Sequence, residues 1–293
     1  MSGLQRYQKD PKHLIRTAFQ LFKSKKIRTV VIEGLSDKRF LQQWTKPTSS
    51  IRFDGMDGKK LVTDVHKAAQ SSPYDKDRFL LYFADVDWDI IHSKSLIDCA
   101  DFVYNAYCRN TKKVVYNDLE CFLINTRALE KTMANLDLDT SSASEIREKI
   151  EYATRQIGAF RAADEIVRRK LGKSKSILNG IAPLEFFDAS RIHIDIPKLI
   201  KCLPRWANYK EHVDDLIICA NQLLVDYTAP WILSRGHDVT ELLCEHFIAQ
   251  GKENLRADKI EMMLRLGCEM SAFKESPIGI NLQIADTDRA FFD

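Results

Sequence analysis

Short apolar runs in the first part of the chain predict buried strands. Residues 30–32 form a continuous β-branched run, and residues 79–84 form a second run that is apolar or aromatic throughout. Runs of this kind are typical of parallel strands that are covered on both faces. Weaker strand signals occur at residues 51–53, 102–107 and 114–116. The pattern therefore predicts a mainly parallel sheet.

Apolar residues at helical spacing lie between these predicted strands. Residues 11–26 predict a helix that begins at Pro11, residues 36–44 a helix with Ser36 as its N-cap, and residues 61–69 a third helix. The alternation of strands and helices predicts an α/β fold in which right-handed crossovers join the parallel strands.

Strand signals fade after residue 127, and helical patterns replace them. These patterns predict helices at residues 144–171, 213–225, 239–250 and 255–270. Asp238 precedes the third of these helices and is its expected N-cap. We therefore expect three parts, which are an N-terminal helix at 1–26, an α/β domain at 27–125 and a mainly helical domain at 126–293.

Composition narrows the class of protein. With 293 residues, of which 45% are hydrophobic, the chain is long enough to bury a core in one large or two smaller domains. The formal net charge is only +3, so nucleic-acid binding would have to depend on local basic patches. The 7 cysteines show neither a CxxC pair nor zinc spacing, and their odd number argues against a complete disulfide framework. The polar N-terminus and the lack of a long apolar stretch predict a soluble, cytoplasmic protein.

Acidic residues follow several of the predicted strands. Ligands gather at the carboxyl ends of the strands in open α/β sheets, so carboxylates placed there would share one edge. Their oxygens suit Mg²⁺ or Mn²⁺, and a pair of such ions can hold the attacking and leaving oxygens in phosphodiester hydrolysis. Acids after strands also commonly cap helices, so each cluster alone has a structural explanation. The clusters are Glu33 with Asp37, then Asp85, Asp87 and Asp89, then Asp118 and Glu120.

Two groups of cations are suited to a phosphate-bearing substrate. Lys59 and Lys60 follow a glycine turn, where a cation can neutralise the charge that develops on a phosphate. A second group surrounds Gly172 at the end of the longest predicted helix and is suited to follow a nucleic-acid backbone. In both cases a solvated charged surface is the alternative. The second group comprises Arg168, Arg169, Lys170, Lys173 and Lys175, with Arg155 and Arg161 upstream.

These motifs together resemble a TOPRIM domain over residues 27–125. The likeness consists of Val31-Ile32-Glu33-Gly34 with Ser36-Asp37 after it, the Gly-Lys turn within residues 54–60, and Asp85-Val86-Asp87. The spacing after Glu33, the acidic segment at 117–120 and the helical second half are most similar to stand-alone OLD-like TOPRIM nucleases, among them the effectors of PARIS anti-phage systems.

The resemblance implies a TOPRIM-type, mainly parallel sheet that carries a metal-dependent nuclease site. Glu33 matches the family's first-strand glutamate, which is a metal ligand or general base. Asp85 and Asp87 match the family's metal-binding Asp-x-Asp pair and are the other candidate catalytic acids. The remaining candidates are Asp37 and Glu120 as metal ligands and Lys60 as a catalytic cation.

The resemblance also implies a function. We expect a cytoplasmic endoribonuclease that cleaves tRNA with Mg²⁺, for which Mn²⁺ is an alternative, and that is active as a homodimer. Such effectors are toxins of abortive infection that an ABC-type ATPase sensor partner restrains and then releases. The alternatives are a DNA-cleaving OLD-like nuclease and a non-catalytic regulatory module that binds the ATPase partner through its acidic edge.

Overall fold

The apolar runs of the first part form a parallel sheet, as predicted. The computed structural model describes residues 10–108, 111, 113–286 and 289–291. Within these residues the central sheet consists of β1 (Arg28–Ile32), β2 (Ile51–Gly55), β3 (Leu80–Ala84) and β4 (Phe102–Tyr104). The strands lie in the order β2-β1-β3-β4, and every neighbouring pair is parallel. All residues of β1, β3 and β4 are buried, which explains why their sequences do not alternate between apolar and polar.

Helices flank this sheet and connect its strands. They are α1 (Pro11–Lys25), α2 (Leu35–Gln42) and α3 (Lys59–Ala69). Helix α1 begins at Pro11, as predicted, because the fixed φ of proline suits the first helical position. Asp10 caps it by accepting a hydrogen bond from the N–H of Lys12 at 3.0 Å. Helices α1 and α3 pack against each other and against β1.

The start of α2 differs from the prediction. Ser36 is not the N-cap, because the chain leaves β1 through Gly34 in an extended conformation and is helical from Leu35 onward. Asp37 lies in the first turn, where its Oδ2 accepts a hydrogen bond from the N–H of Gly34 at 2.8 Å. A carboxylate at this position satisfies an N–H that the helix itself leaves unpaired. Asp37 therefore fixes the exit of the chain from β1.

The turn between β2 and α3 requires glycine. Gly55 has a φ of +96°, and a Cβ at this position would lie 2.8 Å from the carbonyl oxygen of Ile32. The N–H of Met56 donates to that same oxygen at 2.8 Å, and the N–H of Gly58 donates to the carbonyl oxygen of Glu33 at 3.0 Å. The turn is therefore tied to the end of β1 and restrains the backbone at Glu33.

The later strands are short and lie outside the central sheet. They are β5 (Tyr107–Cys108), β6 (Lys113–Val114), β7 (Phe187–Asp188) and β8 (His193–Ile194). The predicted strand 102–107 is thus divided by a bend. The predicted strand 114–116 is wrong beyond its first residue, because β6 ends at Val114 and the chain at residues 115 and 116 is not in a strand. The expectation that all the acid clusters follow strands of one sheet is also wrong, since the strand before Asp118 and Glu120 is β6.

Helices dominate the second half of the chain. In order they are α4 (Leu119–Ile124), α5 (Ala128–Asn135), α6 (Ala143–Lys170), α7 (Ile196–Trp206), α8 (Val213–Asp226), α9 (Gly236–Ala249), α10 (Ala257–Gly267), α11 (Met270–Glu275) and α12 (Pro277–Ala285). The helices predicted from periodicity are confirmed as α6, α8, α9 and α10. Asp238 is not the N-cap of α9, because the helix begins at Gly236 and Asp238 lies within its first turn. In the part of the chain that the structure describes, no helix combines the length and apolar character that a membrane span requires.

Contacts within the chain define two compact units, and both are discontinuous in sequence. The first unit consists of Met1–Val86, Ile97–Lys113 and Met270–Asp293, and the second of Asp87–Leu96 and Val114–Glu269. The central sheet and α1 to α3 belong to the first unit, and α4 to α10 belong to the second. The chain is therefore an α/β protein with a helical C-terminal region. The predicted domains at 1–26, 27–125 and 126–293 stay predictions.

Candidate functional site

Glu33 and Asp85 lie side by side at the carboxyl end of the central sheet. They directly follow β1 and β3, which are neighbours, and the register of these strands pairs Ile32 with Phe83. The backbone N–H of Asp85 donates a hydrogen bond to Oε2 of Glu33 at 3.2 Å. The fold therefore joins two acids that are distant in sequence, at the edge where parallel sheets bind ligands.

Asp37 is close to Glu33 because both lie where the chain leaves β1. Its residue surface is only 4% exposed, and its Oδ2 is the oxygen that binds the N–H of Gly34. A Cβ on Gly34 would lie 3.1 Å from that oxygen, so the carboxylate is packed tightly against the backbone. Asp37 thus caps α2, and its role as a metal ligand stays a prediction.

Lys59 and Lys60 have different surroundings. Nζ of Lys59 donates a hydrogen bond at 2.8 Å to the carbonyl oxygen of Val86, the residue after Asp85. The side chain of Lys60 is 86% exposed and pairs with Asp64, one turn later on α3, at 2.5 Å. The geometry therefore brings Lys59 to the end of β3, while the predicted catalytic role of Lys60 stays untested.

Asn105 is a buried residue at this edge that the acidic motifs do not reveal. Its N–H donates to the carbonyl oxygen of Ala84 at 3.1 Å, and its Oδ1 accepts a hydrogen bond from the N–H of Val86 at 3.3 Å. Asn105 therefore holds the backbone on both sides of Asp85. Its Nδ2 is buried without a hydrogen-bond partner among the residues described. A polar residue after an apolar strand is a weak sequence signal, because many strands end in this way.

Asp87 and Asp89 belong to the second unit. Asp87 has a φ of +49°, a left-handed conformation that few residues other than glycine adopt, and its N–H donates to the carbonyl oxygen of Asn117 at 2.9 Å. Asp89 accepts a hydrogen bond from Nζ of Lys94 at 3.0 Å. The predicted Asp-x-Asp pair thus begins in the first unit with Asp85 and ends in the second with Asp87.

Asp118 and Glu120 take part in the packing of the second unit. The carboxylate of Asp118 accepts hydrogen bonds from the N–H of Cys121 at 3.0 Å and from the N–H of Gly236 at 2.5 Å. Burial raises the pKa of Asp118 above its ordinary value, and these hydrogen bonds counteract part of that rise. Oε1 of Glu120 lies 4.0 Å from Nη1 of Arg265, and both residues are buried. These acids serve contacts between helices, and metal binding by Glu120 stays a prediction.

Acidic neighbours partly neutralise the basic cluster at the end of α6. Arg168 donates two hydrogen bonds to Glu165, at 2.8 Å and 2.7 Å. Arg169 lies 3.1 Å from the same carboxylate and also donates to the carbonyl oxygen of His92 at 3.0 Å. These two arginines are therefore less available to a phosphate backbone than their sequence suggests.

The lysines of this cluster are more accessible. Lys170 and Lys175 are exposed, and no ion pair within the described ranges involves either of them. Nζ of Lys173 lies 4.7 Å from the ring centroid of Tyr209, in a cation–π contact. Lys170 and Lys175 are thus the best placed of the predicted nucleic-acid contacts.

Arg155 and Arg161 make hydrogen bonds within the second unit. The guanidinium of Arg155 donates to the carbonyl oxygens of Tyr227 at 2.6 Å and Ala229 at 2.5 Å. Arg161 donates to both oxygens of Asp238, at 2.8 Å and 2.9 Å. Both arginines therefore hold helices and loops of the second unit together.

The donor chemistry at the sheet edge fits Mg²⁺. Among the residues that the structure describes, no group of three or more His, Cys, Asp or Glu side chains is arranged so that it could hold a metal ion. However, Mg²⁺ usually keeps several waters and is bound through one or two carboxylates together with substrate phosphates. Glu33 and Asp85 are adjacent residues that carry two such carboxylates.

Comparison with known proteins does not identify a family for this chain. No protein-family model matches the sequence, and no curated protein is significantly similar to it. The resemblance to TOPRIM nucleases therefore rests on the motifs of this chain, and it remains a hypothesis.

Proposed function

We propose that this chain is a Mg²⁺-dependent nuclease of the TOPRIM type. The observation that carries the proposal is the contact between Glu33 and Asp85 at the carboxyl edge of a parallel sheet. Metal-assisted phosphodiester hydrolysis needs groups that hold the metal where substrate can approach it, and ligands of open α/β sheets bind at the carboxyl ends of the strands. A bound Mg²⁺ would neutralise phosphate charge and orient the reacting oxygens.

We assign most of the remaining chemistry to three residues of the first unit, which are Glu33, Asp85 and Lys59. Glu33 accepts a proton from the attacking water as the water oxygen bonds to phosphorus and the bond to the leaving oxygen breaks, and the leaving oxygen takes a proton from solvent. Asp85 would hold the cation, and the TOPRIM resemblance implies a metal-binding role for Asp87 as well. Lys59, which the carbonyl oxygen of Val86 holds in place, neutralises charge that develops on the phosphate.

The proposed substrate is tRNA. This part of the proposal is supported by the resemblance to OLD-like effector nucleases of anti-phage systems, and the exposed Lys170 and Lys175 are suited to contact a phosphate backbone. On the same resemblance, the chain is toxic by itself, an ABC-type ATPase partner restrains it, and the active form is a cytoplasmic homodimer.

Paired carboxylate variants test the proposal. Purified parent, Glu33→Gln and Asp85→Asn proteins are incubated with total tRNA and with plasmid DNA, in Mg²⁺ and in EDTA. We expect Mg²⁺-dependent cleavage of tRNA by the parent and a loss of at least about 100-fold in each variant, the scale of a lost general base or charge stabiliser. Asp77→Asn is the matched control, because Asp77 precedes β3 at its opposite end and pairs with Lys23 at 2.8 Å.

Each other outcome would change a different part of the proposal. Cleavage of plasmid with intact tRNA would move the substrate to DNA and keep the site. Equal cleavage by the parent and both carboxylate variants would refute the site. If the parent cleaves neither substrate, while both variants lose binding to an ATPase partner, the chain is a non-catalytic module.

A further inference from the structure

The second unit contains a cavity of about 270 Å³ with a mixed lining. Its volume lies just below the range of about 300–1,000 Å³ that is typical of small-molecule pockets, so it suits one small group. Two lining residues, Arg161 and Asp164, lie on the same face of α6 because they are three residues apart. The lining also includes Trp88, Leu178, Ile181 and Arg235.

Trp88 provides a fixed aromatic surface in this cavity. Its Nε1–H donates a hydrogen bond to the carbonyl oxygen of Leu233 at 3.2 Å, and its ring makes an edge contact with His92. The residue is only half-buried, so part of the indole remains open. A ring that is held by its polar edge loses little freedom when another ring stacks on it. Unpaired bases are commonly bound by stacking of this kind.

Arg235 supplies a positive charge that no ion pair within the described residues of the unit neutralises. In the described part of the chain its guanidinium makes no hydrogen bond or ion pair, although the residue is half-buried. Burial raises the pKa of Glu241, and the hydrogen bond with Glu261 raises the pKa of His237; the charge of Arg235 offsets only part of each rise, and Arg235 pairs directly with neither residue. Arg161, in contrast, is balanced by its two hydrogen bonds to Asp238. Arg235 is therefore the cation of this cavity that can bind a phosphate.

Asp164 makes the cavity unsuitable for a simple anion. Its Oδ1 accepts a hydrogen bond from the N–H of Leu178 at 3.0 Å, and burial raises the pKa of this carboxyl. A carboxylate repels free phosphate, whereas it accepts hydrogen bonds from the N–H groups on the edge of a base. A ligand that matches Trp88, Asp164 and Arg235 must combine a planar ring, N–H donors and a negative charge. A nucleotide has all three.

We propose that this cavity binds one nucleotide of a single-stranded nucleic acid. The base stacks on Trp88, its N–H edge faces Asp164 and its phosphate binds Arg235. This inference rests on the proposed function in one respect, which is the identification of the bound nucleotide as part of the substrate. Nucleotide binding itself does not require catalysis. Proteins that recognise RNA by sequence bind unpaired, splayed-out bases by stacking and by contacts to their edges. The cavity would therefore select an unpaired position of the substrate.

Equilibrium binding without turnover tests this inference. A short fluorescein-labelled single-stranded RNA is titrated with parent, Trp88→Ala and Arg235→Gln proteins in EDTA at several salt concentrations. We expect the Kd to rise roughly 5- to 150-fold for Trp88→Ala, the scale of one lost base stack. For Arg235→Gln we expect a weaker Kd and a salt slope that is shallower by about 0.7, the value for one phosphate of a single strand.

Matched variants separate this site from general effects on the protein. Trp88→Phe keeps a stacking ring, and its Kd should stay within about threefold of the parent value, which shows that a loss in Trp88→Ala is a loss of stacking. Arg256→Gln removes an exposed arginine that pairs with Asp258, and it should leave both the Kd and the salt slope unchanged. GMP should displace the RNA from the parent at concentrations at which inorganic phosphate does not.

The outcomes distinguish this inference from the proposed function. Parent-like Kd values for both Trp88→Ala and Arg235→Gln, or a parent that binds no RNA, would overturn the cavity assignment even if Mg²⁺-dependent cleavage is observed. Equal displacement by GMP and phosphate would also overturn it, because it would indicate a simple anion site. RNA binding that depends on Trp88 and Arg235, without any cleavage, would support the assignment of the cavity as a nucleotide site. It would refute only the proposed nuclease activity.

Discussion

The acids of the two units follow similar stretches of sequence but have different surroundings. Glu33 and Asp85 end neighbouring strands, and a backbone N–H of one binds the carboxylate of the other. Asp118 follows no strand of the central sheet and accepts backbone N–H groups from two helices. An acid after an apolar run thus either stands at a sheet edge or completes the packing of helices. Which of these two roles the acid has depends on the residues that lie opposite it in the fold.

Replacement of Asp118 by alanine should give the largest effect, and that effect is on stability. The change leaves the N–H of Cys121 without its cap and the buried N–H of Gly236 without its acceptor. A lost cap costs about 0.5–2 kcal/mol and a buried unsatisfied donor about 1–3 kcal/mol, so the free energy of unfolding should fall by about 2–4 kcal/mol. Urea-induced unfolding monitored by circular dichroism measures this change.

Two further variants sharpen this first prediction. Asp118→Asn keeps an acceptor oxygen and should lose less stability than Asp118→Ala. Glu33→Gln in the first unit should change the free energy of unfolding by less than about 1 kcal/mol, because the amide still has an oxygen that accepts a hydrogen bond. If Asp118→Ala has the same unfolding midpoint as the parent, Asp118 does not stabilise the second unit, and the contrast with Glu33 is refuted.

The lysines after β2 give the next largest expected effect, which is on activity. Lys59→Ala should lower kcat/KM for tRNA cleavage by at least about tenfold, because it removes a charge beside the proposed phosphate site. Lys60→Ala should change kcat/KM by less than about twofold, since an exposed pair with Asp64 has little energetic value. Steady-state cleavage at saturating Mg²⁺ measures both. A larger loss of kcat/KM in Lys60→Ala than in Lys59→Ala would support Lys60 as the catalytic cation, as predicted from the sequence. It would refute the assignment of Lys59, which is based on the geometry.

Much of the fold was predictable because burial leaves local traces in the sequence. Continuous apolar runs predicted β1 and β3, and apolar residues at helical spacing predicted α6. Helix starts were less predictable. Ser36 and Asp238 have suitable chemistry for N-caps, but Gly34 and Arg235 occupy those positions. The direction in which the chain leaves the preceding segment fixes the first helical residue, and that direction depends on packing.

The candidate site was predictable only as far as it depends on strand ends. The pairing of Glu33 with Asp85 follows from the carboxyl ends of parallel strands, which a sequence does reveal. The contact of Asn105 with Val86 joins segments that no local pattern relates. The choice between neighbouring lysines depends on helix phase, because one residue turns a helix by about 100°. Contacts across the fold therefore had to come from the structure.

The smallest predicted effect is a pH dependence in the second unit. Nδ1 of His237 lies 3.0 Å from Oε1 of Glu261, and this hydrogen bond raises the pKa of His237 above its ordinary value of 6.5. A histidine whose pKa is higher in the folded protein stabilises the fold fully below pH 6.5 and loses that contribution as the pH rises through the folded pKa. Because its side chain is 65% exposed, His237→Gln should cost at most about 0.5 kcal/mol at about pH 6 and less at about pH 8.5.

His66 in the first unit is the matched control, because its pKa shift has the opposite sign. Burial lowers the pKa of His66, so its protonation opposes folding as the pH falls below 6.5. Lowering the pH should therefore raise the free energy of unfolding of His66→Gln relative to that of the parent. The same change should lower the free energy of unfolding of His237→Gln relative to that of the parent. Urea unfolding at both pH values measures the two trends. If they have the same sign, the ion pair of His237 with Glu261 does not contribute to stability, and the pH dependence belongs to the whole protein rather than to this pair.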